Sequence, residues 1–182
     1  LNLHLETFVA SAERKNLTYT IIEAENEDKY KELRTIIDAK ECPTIVYVFS
    51  VKKTLELVQR LCSDGYRARA FNGEMDANEK KENQEAFINN EIDIMVATSA
   101  FGMGVDKDDI NLVVHYQVPA SLEDYMQESG RAGRKEGSTG DCIAMFNEQD
   151  IEFLFYFLNQ SKLTFEEIQS IWRAIKNLSK GR

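Results

Sequence analysis

The sequence predicts an α/β domain of three layers: a mostly parallel central sheet, helices on both faces, and a short helical C-terminal appendage. Three observations lead there. From Leu17 to Phe146, short β-branched or aromatic runs alternate with charged, amphipathic segments, the order that builds strand–helix–strand units and a parallel sheet. The run Thr44–Phe49 is apolar without alternation, as a strand covered on both faces is. The chain has 182 residues, 43% hydrophobic and 29% charged, enough for one substantial core without disulfides or structural metals.

The elements follow in order. Leu17–Ile22 is rich in β-branched and aromatic residues and reads as a strand. Tyr30, Leu33, Ile36 and Ile37 then recur at helical spacing, in a helix that ends before Pro43. After the strand Thr44–Phe49, Ser50 caps a helix carrying Leu55, Val58, Leu61 and Cys62, which stops near Gly65. A strand over Arg67–Phe71 leads through Asn72 and Gly73 to a helix opened by the capping box Asp76–Glu79. Strands over Asp93–Ala97 and Asn111–Tyr116, a helix from Ser121 to about Ser129 and a strand over Gly140–Phe146 complete the alternation. Residues 1–147 form the α/β domain on this reading, and residues 148–182 a helical extension leading toward a following domain. In that extension Ile151–Leu158 is apolar nearly all round and predicts a buried helix. Thr164–Glu167 is a second capping box, and Phe165, Ile168, Ile171, Trp172, Ile175 and Leu178 form one stripe, which implies core or domain–domain packing. No internal repeat or low-complexity segment occurs.

Composition narrows the function classes. Nine Gly and two Pro exclude collagen and low-complexity disorder, and no apolar run is long enough for a membrane span. The first residues lack the pattern of a signal peptide. Net charge is −9, so nucleic acid has no diffuse attraction to the whole chain. Phosphate binding has to come from placed arginines, hydroxyls or backbone amides. Cys42, Cys62 and Cys142 are odd in number and form no C-x-x-C pair, which points away from a disulfide framework or zinc site and toward a reducing, cytoplasmic setting. Cys142 reads as a small buried hydrophobe, His115 as a core histidine, and His4 and the acidic stretch Glu23–Glu41 as solvated surface.

Two segments carry chemistry. Ala97–Lys107 places Gly102 and Gly104 just after a strand, where glycine lets backbone approach a ligand and free amides cradle phosphate; a plain connection using glycine for its turns is the competing reading. Gln127–Arg134 spaces Arg131 and Arg134 three apart among small residues, with Gly130 and Gly133 removing bulk. Guanidinium forks suit phosphate oxygens, and a merely solvated basic turn has no need of paired glycines. Both segments are expected at the crevice where open α/β sheets bind ligands.

Together these segments resemble motifs V and VI of superfamily 2 helicases, and most specifically the RecQ family of DNA helicases. Ala100–Lys107 matches the family's A-F-G-M-G-[IV]-D-K. Val113-Val-His-Tyr116 followed by Pro119 is similar to V-V-H-[FY]-x-x-P, and Gln127–Arg134 to Q-E-[TS]-G-R-A-G-R. DEAD-box RNA helicases differ at both motifs. The resemblance spans roughly Arg14 to Phe146.

It implies the second, RecA-like lobe of a helicase motor in which ATP and Mg2+ lie between two lobes. The first lobe would supply the phosphate-binding loop and the acidic magnesium site. On this resemblance Arg134 is the arginine finger and Arg131 a second γ-phosphate contact. Gln127 registers the nucleotide state, Asp106 links ATP to DNA, and Gly104 and Gly130 line the nucleotide crevice. The partners implied are the first lobe of the same polypeptide and single-stranded or partly duplex DNA, tracked 3′ to 5′ through its phosphates. Ser50, Lys52, Asn72, Gly73, Thr98 and Ser99 are the DNA candidates, using a helix N-terminus and hydroxyls in place of formal charge; capping alone is the other reading of Ser50 and Asp76.

The chain departs from the family in places. The N-S-R of motif IV reads Phe49-Ser50-Val51, with Lys52 or Lys53 as the nearest cations, and Asn72 replaces the histidine of Y-H-x-G-L. The ligands of the family's four-cysteine zinc domain are absent, as are a G-x-x-x-x-G-K-[ST] loop and a D-E-x-[HD] carboxylate pair. Two readings stand at this stage: half of an ATP-dependent DNA helicase, inactive alone, or a helicase-derived module that only binds nucleic acid or protein.

Overall fold

A computed structural model describes residues 14–102, 105, 107–160, 169, 170 and 172. Six strands form one sheet: β1 (Leu17–Glu23), β2 (Thr44–Tyr47), β3 (Ala68–Phe71), β4 (Ile94–Ala97), β5 (Leu112–His115) and β6 (Gly140–Phe146). Their order is β1-β6-β5-β2-β4-β3, and every pairing is parallel. The helices are α1 (Asn26–Lys40), α2 (Val51–Ser63), α3 (Ala77–Ile88), α4 (Leu122–Ser129) and α5 (Glu148–Gln160). Two compact units are distinguished, Leu1–Asn147 and Glu148–Arg182.

Strand alternation sorts the first unit's core into two layers. On one face Val46, Ile94, Val96, Leu112, Val114 and Met145 meet Tyr30, Leu33 and Ile37 of α1 and Leu57 and Leu61 of α2. On the other, Ile45, Tyr47, Met95, Val113 and Cys142 meet Ala86 and Phe87 of α3 and Phe101, Val105 and Ile110 from the β4–β5 connection. The three-layer reading holds, with one face covered partly by a connection that has no helix among its described residues.

Helix ends follow local chemistry. Ser50 Oγ accepts from Lys53 N at 3.2 Å, Asp76 Oδ1 from Asn78 N and Glu79 N at 2.8 and 2.9 Å, and Ser121 Oγ from Asp124 N at 3.0 Å. Each satisfies amides that the first helical turn leaves without partners. At the end of α2, Gly65 takes φ +93° while Tyr66 N bonds Leu61 O, a Schellman closure.

Three expectations need correction. The buried face of α2 is Thr54, Leu57 and Leu61, whereas Leu55 is 53% exposed and Cys62 is exposed. Spacings of three and four from Thr54 define that face, and Leu55 sits one residue, about 100°, around the helix. Glu23–Glu41 is not uniformly surface either: Lys29, Tyr30, Leu33 and Ile37 are buried, with Lys29 Nζ donating to Tyr116 O at 3.2 Å. In the second unit, Ile151, Phe153, Phe155 and Tyr156 are exposed rather than buried, and Trp172 is exposed too, which removes the core alternative for it. Apolar residues at successive 100° steps cover the whole circumference of α5, more than one contact stripe can hide. The capping box at Thr164–Glu167 and the rest of the stripe, Phe165, Ile168, Ile171, Ile175 and Leu178, lie outside the described residues, as does His4. No helix among the described residues is long and apolar enough to cross a membrane.

The corrected face of α2 is testable by urea unfolding. Leu61→Ala removes a fully buried side chain and is expected to cost about 2–5 kcal/mol, while Leu55→Ala changes stability by no more than about 0.5 kcal/mol.

Candidate functional site

Because all the strands run one way, their carboxyl ends share one edge. There β2 delivers Ser50, β4 delivers Thr98 and Ser99, and β3 delivers Asn72 and Gly73, from three adjacent positions in the sheet. Ser50, Lys52, Gly73 and Ser99 are exposed and Thr98 is half-buried. Thr98 N bonds Phe71 O at 3.1 Å, so the two loops are tied together. Asn72 differs from the others. It is buried, its Nδ2 donates to Thr54 Oγ1 at 3.3 Å and its Oδ1 accepts from Glu74 N at 3.1 Å. Its amide shapes the turn that presents Gly73 and does not reach the surface. Lys52 is paired loosely with Glu56 at 3.8 Å in full solvent, a contact worth little in energy.

Motif VI does not lie at this edge. An eight-residue helix rises about 12 Å and a four-residue strand about 13 Å. A helix following β5 therefore ends back at the strands' amino ends. Accordingly Gly133 N bonds Ile110 O, just before β5, and Gly140 N bonds Asn16 O, just before β1. The guanidinium pair flanks the β4–β5 crossover along the sheet face, away from the carboxyl-edge crevice where sequence placed it.

The crossover joins the two regions. It leaves the carboxyl end of β4 at Thr98, runs along the face and enters β5 from the amino end. It is held in four places. The Tyr47 hydroxyl donates to Phe101 O at 3.2 Å, and Arg131 Nη1 donates to Gly102 O at 2.8 Å. Arg134 Nη1 donates to Val105 O at 3.3 Å. Lys107 Nζ reaches Asn90 Oδ1 and Asp109 Oδ1, both at 2.8 Å, and Ile88 O at 3.4 Å, where a cation also suits the C-terminus of α3. Burial pushes the Tyr47 phenol well above its usual range, with the neighbouring Arg131 charge opposing, so this hydroxyl stays a donor at every physiological pH.

The two arginines differ in kind. Arg131 is 6% exposed, and a Cβ on Gly102 would fall 2.0 Å from its Nη2. Glycine at 102 is required by close packing of a guanidinium. Arg134 is exposed and projects beyond its hold on Val105. Gly133 between them has φ +60°, and a Cβ there would meet Asn16 Nδ2 at 2.8 Å and Gly140 N at 3.0 Å. Gly130 ends α4 at an ordinary φ of −62°, and Gln127 is exposed on the last turn of that helix. Gly104 and Asp106 lie outside the described residues.

Sequence reasoning missed a second support. His115 Nε2 lies 2.8 Å from Glu128 Oε2, both buried, and the imidazole stacks on Tyr47 at 5.4 Å and 20°. The pair fastens α4 to β5 immediately before the arginines. Glu128 belongs to the motif VI run itself, so the histidine–glutamate combination was the available signal. Cys142 on the same face is buried, and desolvation pushes its thiol up to about 11, leaving it inert near neutrality.

The model of the helicase conserved C-terminal domain matches residues 28–136. The chain belongs to that family. The chain is 37% identical over 163 residues to the ATP-dependent DNA helicase RecQ of Bacillus subtilis, covering 88% of this chain and 27% of that protein. It is 32% identical over 180 residues to the ATP-dependent DNA helicase Q1 of Pongo abelii, covering 97% of the chain and 28% of the relative. The chain thus spans little more than a quarter of these relatives. In structure it is similar to a DEAD box protein from Methanococcus jannaschii, with a TM-score of 0.69 and 28% identity over 82% of this chain and 41% of that one. The RecA-like fold and the RecQ likeness agree with the motifs. Among the described residues no group of three or more His, Cys, Asp or Glu side chains could hold a metal.

Gly102→Ala tests the packing that joins the two motifs of this helicase C-terminal domain. The added methyl displaces the Arg131 guanidinium, and denaturant unfolding is expected to show a loss of about 1–3 kcal/mol.

Proposed function

We propose that residues 1–147 are the second motor lobe of an ATP-dependent DNA helicase of the RecQ type, and that residues 148–182 lead from it toward a following domain. The observation that carries this reading is the exposed Arg134 guanidinium, fixed on the crossover that begins among the carboxyl-edge loops. The crossover then connects a phosphate-seeking cation with loops suited to nucleic acid. Arg134 is the arginine finger, completing from this side an ATP–Mg2+ site whose phosphate loop and metal-binding carboxylates belong to a first lobe. Its fixed charge stabilises charge developing on the transferred phosphoryl group. Exposed Gln127, seven residues earlier in the last turn of α4, faces the nucleotide beside it. For Arg131, occupied with Gly102, the role we assign is to hold the crossover in place of a direct phosphate contact. Asp106, Gly104 and Gly130 complete the surface that meets the nucleotide between the lobes, as the family likeness implies.

Single-stranded DNA is tracked by Ser50, Gly73, Thr98 and Ser99 with Lys52, through hydroxyls and backbone amides. That suits a chain of net charge −9, since these groups bind phosphate without formal charge. Translocation runs 3′ to 5′, as the RecQ likeness implies.

Two measurements test the reading. The 182-residue chain alone is expected to show no ATP turnover, and robust hydrolysis by it would overturn the two-lobe site. In the protein carrying both lobes, Arg134→Ala is expected to lower DNA-stimulated ATPase turnover by about 10³-fold or more; near-normal turnover would place the finger elsewhere. For the DNA track, Lys52→Ala is expected to weaken single-strand binding uniformly across sequences and to reduce the salt slope by about one.

A further inference from the structure

We propose that Arg14 and Asn16, on the segment entering β1, are positioning residues for Arg134: they clamp the turn that carries it. The proposal rests on the reading of Arg134 as the finger. Nothing in that reading concerns the entry segment, whose side chains make a dense set of contacts. Arg14 Nη2 donates to Gly133 O at 2.8 Å and Ala132 O at 3.2 Å, and its Nη1 lies 3.5 Å from Gly130 O. Its Nε donates to Asn16 Oδ1 at 3.2 Å, fixing the amide so that Asn16 Nδ2 donates to Gly133 O at 2.8 Å and Ser138 O at 3.0 Å.

The turn is suspended between two segments. Two of its amides go to the crossover, Gly133 N to Ile110 O and Lys135 N to Asp108 O, while Arg131 N and Ala132 N close the end of α4 on Glu128 O and Ser129 O. Its carbonyls go to Arg14 and Asn16. Irregular backbone has no ladder of its own to set its shape, so these two sets of bonds decide where Arg134 projects. The fit is close: the position of Gly133, at φ +60°, leaves no room for a Cβ beside Asn16 Nδ2. Arg14 and Arg134 also line one open groove of about 450 Å³. A fixed guanidinium fork reaches several carbonyls at once, and a lysine ammonium lacks that geometry.

The test uses the protein carrying both lobes, with Arg14→Lys and Asn16→Asp made separately. Hydrogen exchange at the Gly133 and Gly140 amides is expected to rise about tenfold or more, with Leu57 and Leu61 of α2 unchanged, the mark of local opening. DNA-stimulated ATPase kcat is expected to fall about tenfold to a hundredfold, as for a catalytic group displaced by about an ångström, with KM for ATP within about twofold. Placed on Arg134→Ala, either variant is expected to cause no further loss, because it acts through that side chain. Unchanged exchange in the turn, faster exchange at Leu61 as well, or a full additional loss on Arg134→Ala would each overturn the proposal. Normal turnover of Arg134→Ala alone would remove the finger assignment, and the exchange measurement would still decide whether the clamp holds the turn.

Discussion

The grip of side chains on the β4–β5 crossover is the constraint on which the rest depends. A parallel sheet obliges each connection to travel from one edge back to the other. Elsewhere in the first unit a helix makes the return and satisfies its own backbone. Between Ala97 and Leu112 no helix is found among the described residues, and the carbonyls of Phe101, Gly102 and Val105 are taken by Tyr47, Arg131 and Arg134. Side chains thus do what an intrahelical ladder does in the other connections, and two of the three come from motif VI. A displacement of that motif is therefore felt at the loops beyond β4.

Burial divides the labour within the arginine pair. Arg131 is enclosed and its charge is directed at a carbonyl oxygen, a charge-assisted bond that strengthens as water is excluded. Arg134 is open on one side and holds the crossover with one nitrogen at a longer distance. Behind them the His115–Glu128 pair fixes the end of α4 against β5, so the exposed guanidinium stands on a rigid base. An acidic chain thus presents an oriented, exposed positive charge by local packing alone.

The helix caps at Ser50, Asp76 and Ser121 were legible because capping is a short-range exchange between a side chain and amides two or three residues on. The turn glycines and both arginines were legible because the motif is contiguous. The face of α2 was misjudged at Leu55, since several apolar residues allow more than one stripe and only the packed sheet chooses. Asn72 looked like a DNA contact in a polar loop, but a partner eighteen residues away, Thr54, takes its amide. Arg14 gave no signal at all, because its acceptors are backbone carbonyls more than a hundred positions later, and carbonyls carry no sequence identity.

What the sequence by itself determined is the alternation of elements, the parallel sheet and the identity of the two motifs, all properties of period, capping and local residue type. Tertiary structure alone decided the strand order, the return of α4 to the amino edge, and which arginine is buried and which is open. Those depend on the lengths of helix and strand set against each other and on contacts between distant segments, which no local pattern encodes.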